Sequence, residues 1–108
     1  MNTEDALLLL RGWRDRRSTA LIKASFSDCA EYIAKGTVLE VTDSGFAVGT
    51  ADSALTVSAS SPHVSFEYRE PRDSPDFDSS SMSDEQRTAS TLVVKLGPIG
   101  RVFLYELP

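Results

Sequence analysis

At 108 residues the chain has room for one domain with a modest core. Hydrophobic residues make up 41% and charged residues 25%, ordinary globular usage that argues against wholesale disorder and against a membrane protein. The net charge of −5 is uneven: residues 1–35 carry six basic and five acidic side chains, the remainder five basic and eleven acidic, so most of the surface should repel phosphate backbones and nucleic acid is not the favoured partner.

The first element predicted is a helix over residues 4–17. Thr3 suits the N-cap, Glu4 and Asp5 sit at the positive end of the helix dipole, and Arg14, Arg16 and Arg17 sit at the negative end. Ala6, Leu9, Leu10 and Trp13 recur at three- and four-residue spacing as one apolar stripe that should lie across an open end or face of a sheet. The run Leu7 to Leu10 follows two acids and stops at Arg11. A secretory signal needs a basic start and a longer apolar core, and a membrane span needs roughly 20 apolar residues, so neither is expected. The single Cys29 has no internal disulfide partner, which favours a reducing compartment and makes the cytoplasm the expected location.

From Thr19 to Tyr68 the hydrophobic rhythm has a period of two, interrupted at Lys35-Gly36, Asp43-Ser44-Gly45 and Asp52-Ser53. Five strands follow, at about 19–27, 36–43, 45–51, 54–60 and 63–69. Ala20, Ile22, Ala24 and Phe26 share one face of the first; Leu39 and Val41 lie opposite Val38 and Glu40 in the second. Phe46, Val48 and Thr50, then Leu55, Val57 and Ala59, then Val64, Phe66 and Tyr68, make the inner faces of the other three. Residues 69–90 turn abruptly to Ser, Asp and Pro, the composition of a mobile loop, with Ser83 and Gln86 at capping-box spacing before a single helical turn around 84–89. A closing hairpin over 91–107 turns at Gly97-Pro98-Ile99-Gly100, and its last strand is apolar on both faces, Phe103, Tyr105 and Leu107 on one and Val102 and Leu104 on the other. Such a strand is covered on both sides or forms an interface. The expected fold is one mainly β domain over 1–108: a small, strongly bent antiparallel β-barrel with an N-terminal α-helix and an extra C-terminal hairpin.

The order of helix, bent five-strand meander and short turns over residues 4–69 resembles the Sm-like small barrel. Gly36-Thr37-Val38 through Asp43 to Phe46-Ala47-Val48 echoes that family's first signature of glycine, hydrophobic strand, acidic turn residue and second hydrophobic strand. The Asn that follows the turn in RNA-binding members is absent, and no Arg-Gly or Lys-His pair stands near Ser60 to His63, so no RNA-binding residue carries over. What the resemblance implies is a fold and a ring- or dimer-forming habit. A basic start followed by a barrel with Asp43-Ser44-Gly45 also looks like a PilZ domain, which binds a cyclic dinucleotide, but Arg11, Arg14, Arg16 and Arg17 hold no pair at that family's spacing and the turn lacks its intervening residue.

Other chemistries find little footing. Asp76, Asp78, Ser80, Met82 and Asp84 alternate as in a calcium loop, yet Ser81 stands where the sharp turn needs Gly and Arg87 where the bidentate Glu belongs. One Cys and one His do not fill a tetrahedral zinc site. Cys29 lies near Asp28 and Glu31, whose charges disfavour a thiolate, and His63 follows Ser61-Pro62 as a loop-edge imidazole. There is no nucleophile elbow and no phosphate-cradling glycine loop. No catalytic residue, cofactor or metal is therefore assigned. The expectation is a non-catalytic module that assembles with itself. The alternative is single-stranded nucleic-acid or cyclic-dinucleotide binding at the arginine-rich helix end, with Trp13 stacking on a base and Arg14, Arg16 and Arg17 on phosphates.

Overall fold

The computed structural model describes residues 1–27, 29–70 and 89–107. The loop readings within 71–88, the calcium-like alternation and most of the predicted helical turn among them, lie outside the described residues. In chain order the elements are α1 (Thr3–Asp15), β1 (Ala20–Phe26), β2 (Ala30–Val41), β3 (Gly45–Gly49), β4 (Ala54–Ser58), β5 (Ser65–Arg69), β6 (Ser90–Lys95) and β7 (Gly100–Glu106), with a 3-10 turn at Gly97–Ile99 between the last two. The strands form one antiparallel sheet in the order β4-β3-β2-β1-β7-β6-β5, curled strongly into a half-barrel. None of the described helices is long and apolar enough to cross a membrane.

Helix α1 begins one residue earlier than its sequence signals suggested. Asn2, rather than Thr3, caps it, its Oδ1 accepting from the Asp5 amide at 2.7 Å. The helix also ends earlier. Arg16 is the C-cap, the amide of Ser18 donates to the Trp13 carbonyl and that of Arg17 to the Arg14 carbonyl, and Arg17 sits at φ 54. This is a Schellman ending with an arginine where glycine is the usual occupant. Arg17→Gly should therefore stabilise the chain by about 1 kcal/mol, the lower end of the left-handed penalty for an L side chain, read as a higher urea midpoint; an unchanged or lower midpoint would show that the arginine side chain compensates.

The buried helix stripe is Ala6, Leu7, Leu10 and Trp13, with Leu9 only partly covered. On the concave side of the sheet it shares one hydrophobic core with Ile22, Ala24, Val38, Val48, Leu92, Val94, Val102 and Leu104. Phe46 of β3 and Phe66 of β5 sit near opposite ends of the strand order, yet their rings come to 6.3 Å of one another. The sheet curls far enough for its two halves to share one core.

Three features depart from the expected strands. Strand β2 starts at Ala30, six residues before the predicted start at Gly36, because pairing with β1 from Phe26↔Ala30 to Ala20↔Gly36 overrides the poor strand propensity of Glu31, Ala34 and Lys35. Lys35-Gly36 is thus not a turn but the bend at which β2 leaves β1 and begins to pair with β3. A register shift between Val38 and Glu40 then turns Val38 and Val41 both inward, 5% and 7% exposed, and leaves Leu39 44% exposed. The expected sharing of a face by Leu39 and Val41 is lost to this bulge. Finally, β7 of the C-terminal hairpin lies between β1 and β6, in the middle of the sheet, and β5 joins the edge through β6. Its two apolar faces have this cause: Val102 and Leu104 belong to the concave core, while Tyr105 and Phe103 pack with Leu21, Ala89 and Leu107 on the convex side.

Candidate functional site

The four residues expected at the helix end have different surroundings. Trp13 is 1% exposed within the core, and its Nε1 is the one buried side-chain polar atom without a hydrogen-bond partner among the described residues. Arg14 pairs with Asp15 at 3.3 Å. Arg16 reaches Glu106 at the end of β7, 2.8 Å away, and the same carboxylate oxygen accepts from the Ser18 hydroxyl at 2.7 Å. Arg17 has no side-chain partner among the described residues. Arg11 ties the helix to the β2–β3 turn through Asp43 at 2.9 Å. The helix end therefore works mainly as a latch, with pairs from α1 to the turn and to β7, and with Arg17 alone facing solvent uncommitted. Cys29 is exposed in the β1–β2 turn, where its Sγ donates to the Phe26 carbonyl and lines a surface depression with Ser25, Ala30 and Glu31. His63 is exposed, with its amide on the Ser61 hydroxyl. Among the described residues no three of His, Cys, Asp and Glu gather as metal ligands.

Among the described residues no strand pairs with the outer side of β4 or of β5, the two edges of the sheet. Hydrogen bonds from the Ala59 amide to the Ser44 carbonyl and from the Thr50 amide to the Ser53 carbonyl fix the phase of the β3–β4 ladder. With the register Phe46↔Val57 and Val48↔Leu55, the alternation of an antiparallel pair directs the backbone groups of Leu55 and Val57 to β3 and those of Ala54, Thr56 and Ser58 to the open edge. At the other end the Leu96 amide donates to the Gly100 carbonyl. The same alternation carried through β6 turns Ser65, Glu67 and Arg69 of β5 toward β6 and leaves the backbone of Phe66 and Tyr68 pointing outward.

Each edge also exposes part of the apolar interior. Leu55 of β4 and Val64, just before β5, are only partly buried against the core, and Tyr68 is half-buried. Natural edge strands are usually blunted by Pro, by lysine or by inward-pointing charge. Strand β4, Ala54-Leu55-Thr56-Val57-Ser58, has none of these and no charge at all. Strand β5 carries Glu67 and Arg69, which neutralise one another at 2.9 Å. Sequence reading placed both strands but had no means of making them edges, because that depends on the insertion of β7 beside β1. Searches against protein-family models, curated proteins and solved structures return no match to this chain.

Proposed function

We propose that the chain is a non-catalytic module that assembles with copies of itself, the free edge of β4 in one copy pairing with the free edge of β5 in the next. The observation that carries this reading is the uncharged β4 edge, unpaired among the described residues, with outward amides at Thr56 and Ser58 and a partly bare apolar rim at Leu55. Strand β5 supplies a match of the same five-residue length, with outward groups at Phe66 and Tyr68. Unlike edges pairing head to tail make a heterologous contact, which closes as a ring when the rotation permits. The ring- or dimer-forming habit implied by the Sm-like resemblance of the sequence is in keeping with such an assembly, although β5 lies across the sheet from β4 rather than beside it, and the lone exposed thiol of Cys29 suits a reducing cytoplasm.

Thr56→Pro tests this directly. The Thr56 amide faces the open edge, so proline there removes an edge donor and spares the bonds to β3. Wild-type protein is expected to sediment above its 11.8 kDa monomer mass at micromolar concentration, and Thr56→Pro as a folded monomer with little change in melting temperature. A wild-type chain that stays monomeric, or an assembly indifferent to the substitution, contradicts the proposal.

A further inference from the structure

The register of five neighbouring strands places their outward side chains in rows across the convex face. One row runs Lys35, Leu21, Tyr105, Thr91, Arg69; the next Ile33, Lys23, Phe103, Val93, Glu67; the third Glu31, Ser25, Arg101, Lys95, Ser65. Of the chain's eleven Lys and Arg residues, the five on this face are all the described ones outside α1 and its C-terminal turn, and Glu31 and Glu67 are the acids the rows set among them. Among the described residues, this face of a chain of net charge −5 thus carries a positive excess.

Within this face Lys23, Lys95 and Arg101 have no ion-pair partner among the described residues. Lys95 and Arg101 stand directly opposite one another on β6 and β7, both exposed. Like charges in that relation cost stability, so folding alone gives no reason for the arrangement. The three cations surround Phe103. Lys23 is its partner across β1, Arg101 lies two residues before it on the same face, and Lys95 is diagonal to it on β6. Phe103 is half-buried and stacks on Tyr105, with ring centroids 6.3 Å apart and planes 13° from parallel. Tyr105 is 7% exposed, and burial pushes its phenol pKa up despite the nearby Arg69, so the ring held behind Phe103 stays neutral.

We propose that this face binds single-stranded nucleic acid, with Lys23, Lys95 and Arg101 on successive phosphates and an unpaired base stacked on Phe103. An aromatic ring framed by unpaired cations on a sheet suits a flexible polyanion with exposed π-faces, and the local positive charge complements the phosphates where the rest of the surface repels them. The site is separate from the helix-end arginines and from the β4 and β5 edges, so it stands or falls independently of assembly.

The test is fluorescence anisotropy of a short labelled oligothymidylate over a range of salt concentrations. Three phosphate contacts predict a slope of log K against log salt of about −2, since each contributes about −0.7 on a single strand. Lys95→Gln/Arg101→Gln should bring the slope to about −0.7 and weaken binding, while raising the melting temperature by relieving the like-charge pair. Phe103→Leu should weaken binding about 5- to 150-fold, the range of one lost base stack, and Phe103→Tyr should restore it, which separates loss of stacking from loss of folding. Arg16→Gln/Arg17→Gln should leave both slope and affinity unchanged. Absence of binding at low salt overturns the proposal, as does binding insensitive to the Lys95 and Arg101 changes or lost through the helix arginines. Equal affinity for Phe103→Leu and wild type overturns the assignment of the stacked base.

Discussion

Trp13→Ala is expected to lower the unfolding free energy by about 3–5 kcal/mol, the usual cost of emptying a large aromatic site. The indole lies with Leu10 and Ala6 in the concave core, all three at most 1% exposed, and it is the largest side chain of the helix stripe. For a small domain with a total stability of about 5–15 kcal/mol, such a loss takes a large fraction of the whole. Trp13→Phe should be much milder. It retains an aromatic ring and deletes the buried Nε1 donor, which has no partner among the described residues, a group whose unmet hydrogen bond costs about 1–3 kcal/mol. Urea unfolding of the two variants measures both effects. Near-wild-type stability in Trp13→Ala, with loss of ligand binding instead, would reverse the assignment of this residue to the core.

The second large effect belongs to the bend in β2. A methyl group at Gly36 would stand 2.1 Å from the Gly49 carbonyl oxygen and 2.5 Å from its carbon. These are backbone atoms of β3, without rotamers by which to move aside, so relief requires β2 and β3 to separate where the sheet turns into its second half. Gly36→Ala should cost at least the roughly 1–3 kcal/mol of an overpacked core. It should also loosen β3 and β4 before β1 and β7, because only the former depend on the bend for their place. Amide exchange resolved by residue would show this as early loss of protection at Phe46 and Val48 while Ile22 and Leu104 remain protected. Uniform loss across both halves, or none, would contradict the role given to Gly36.

Much of the fold is written in local pattern. Ala20, Ile22, Ala24 and Phe26 alternate cleanly, and their strand lies where the alternation puts it. The acidic start of α1 and the Ala6-Leu10-Trp13 spacing likewise suffice for the helix. What escapes a linear reading is non-local. Nothing within Val38-Leu39-Glu40 announces the bulge, since the shift is a relation between β2 and β3. Lys35-Gly36 has the composition of a turn and becomes a bend only because β1 and β3 hold opposite halves of one long strand. Candidate sites depend most on such relations. Arginines close in sequence drew attention to the helix end, where acids on β7 and on the β2–β3 turn engage Arg16 and Arg11. Lys23, Lys95, Arg101 and Phe103, far apart in sequence, become neighbours only once β7 enters beside β1. The signal available beforehand was the two-sided apolarity of Val102 to Leu107, which marks a central strand as readily as an interface.

Edge pairing between copies is read most directly from amide exchange at Thr56, Ser58, Phe66 and Tyr68, whose backbone groups point away from the sheet within one chain. In dilute protein these amides should exchange freely. On concentration into the assembled range all four should gain protection together, while Val57 and Glu67, already bonded within the sheet, change little. Free exchange at these four positions under conditions where the protein is assembled would place the contact elsewhere and contradict assembly through β4 and β5.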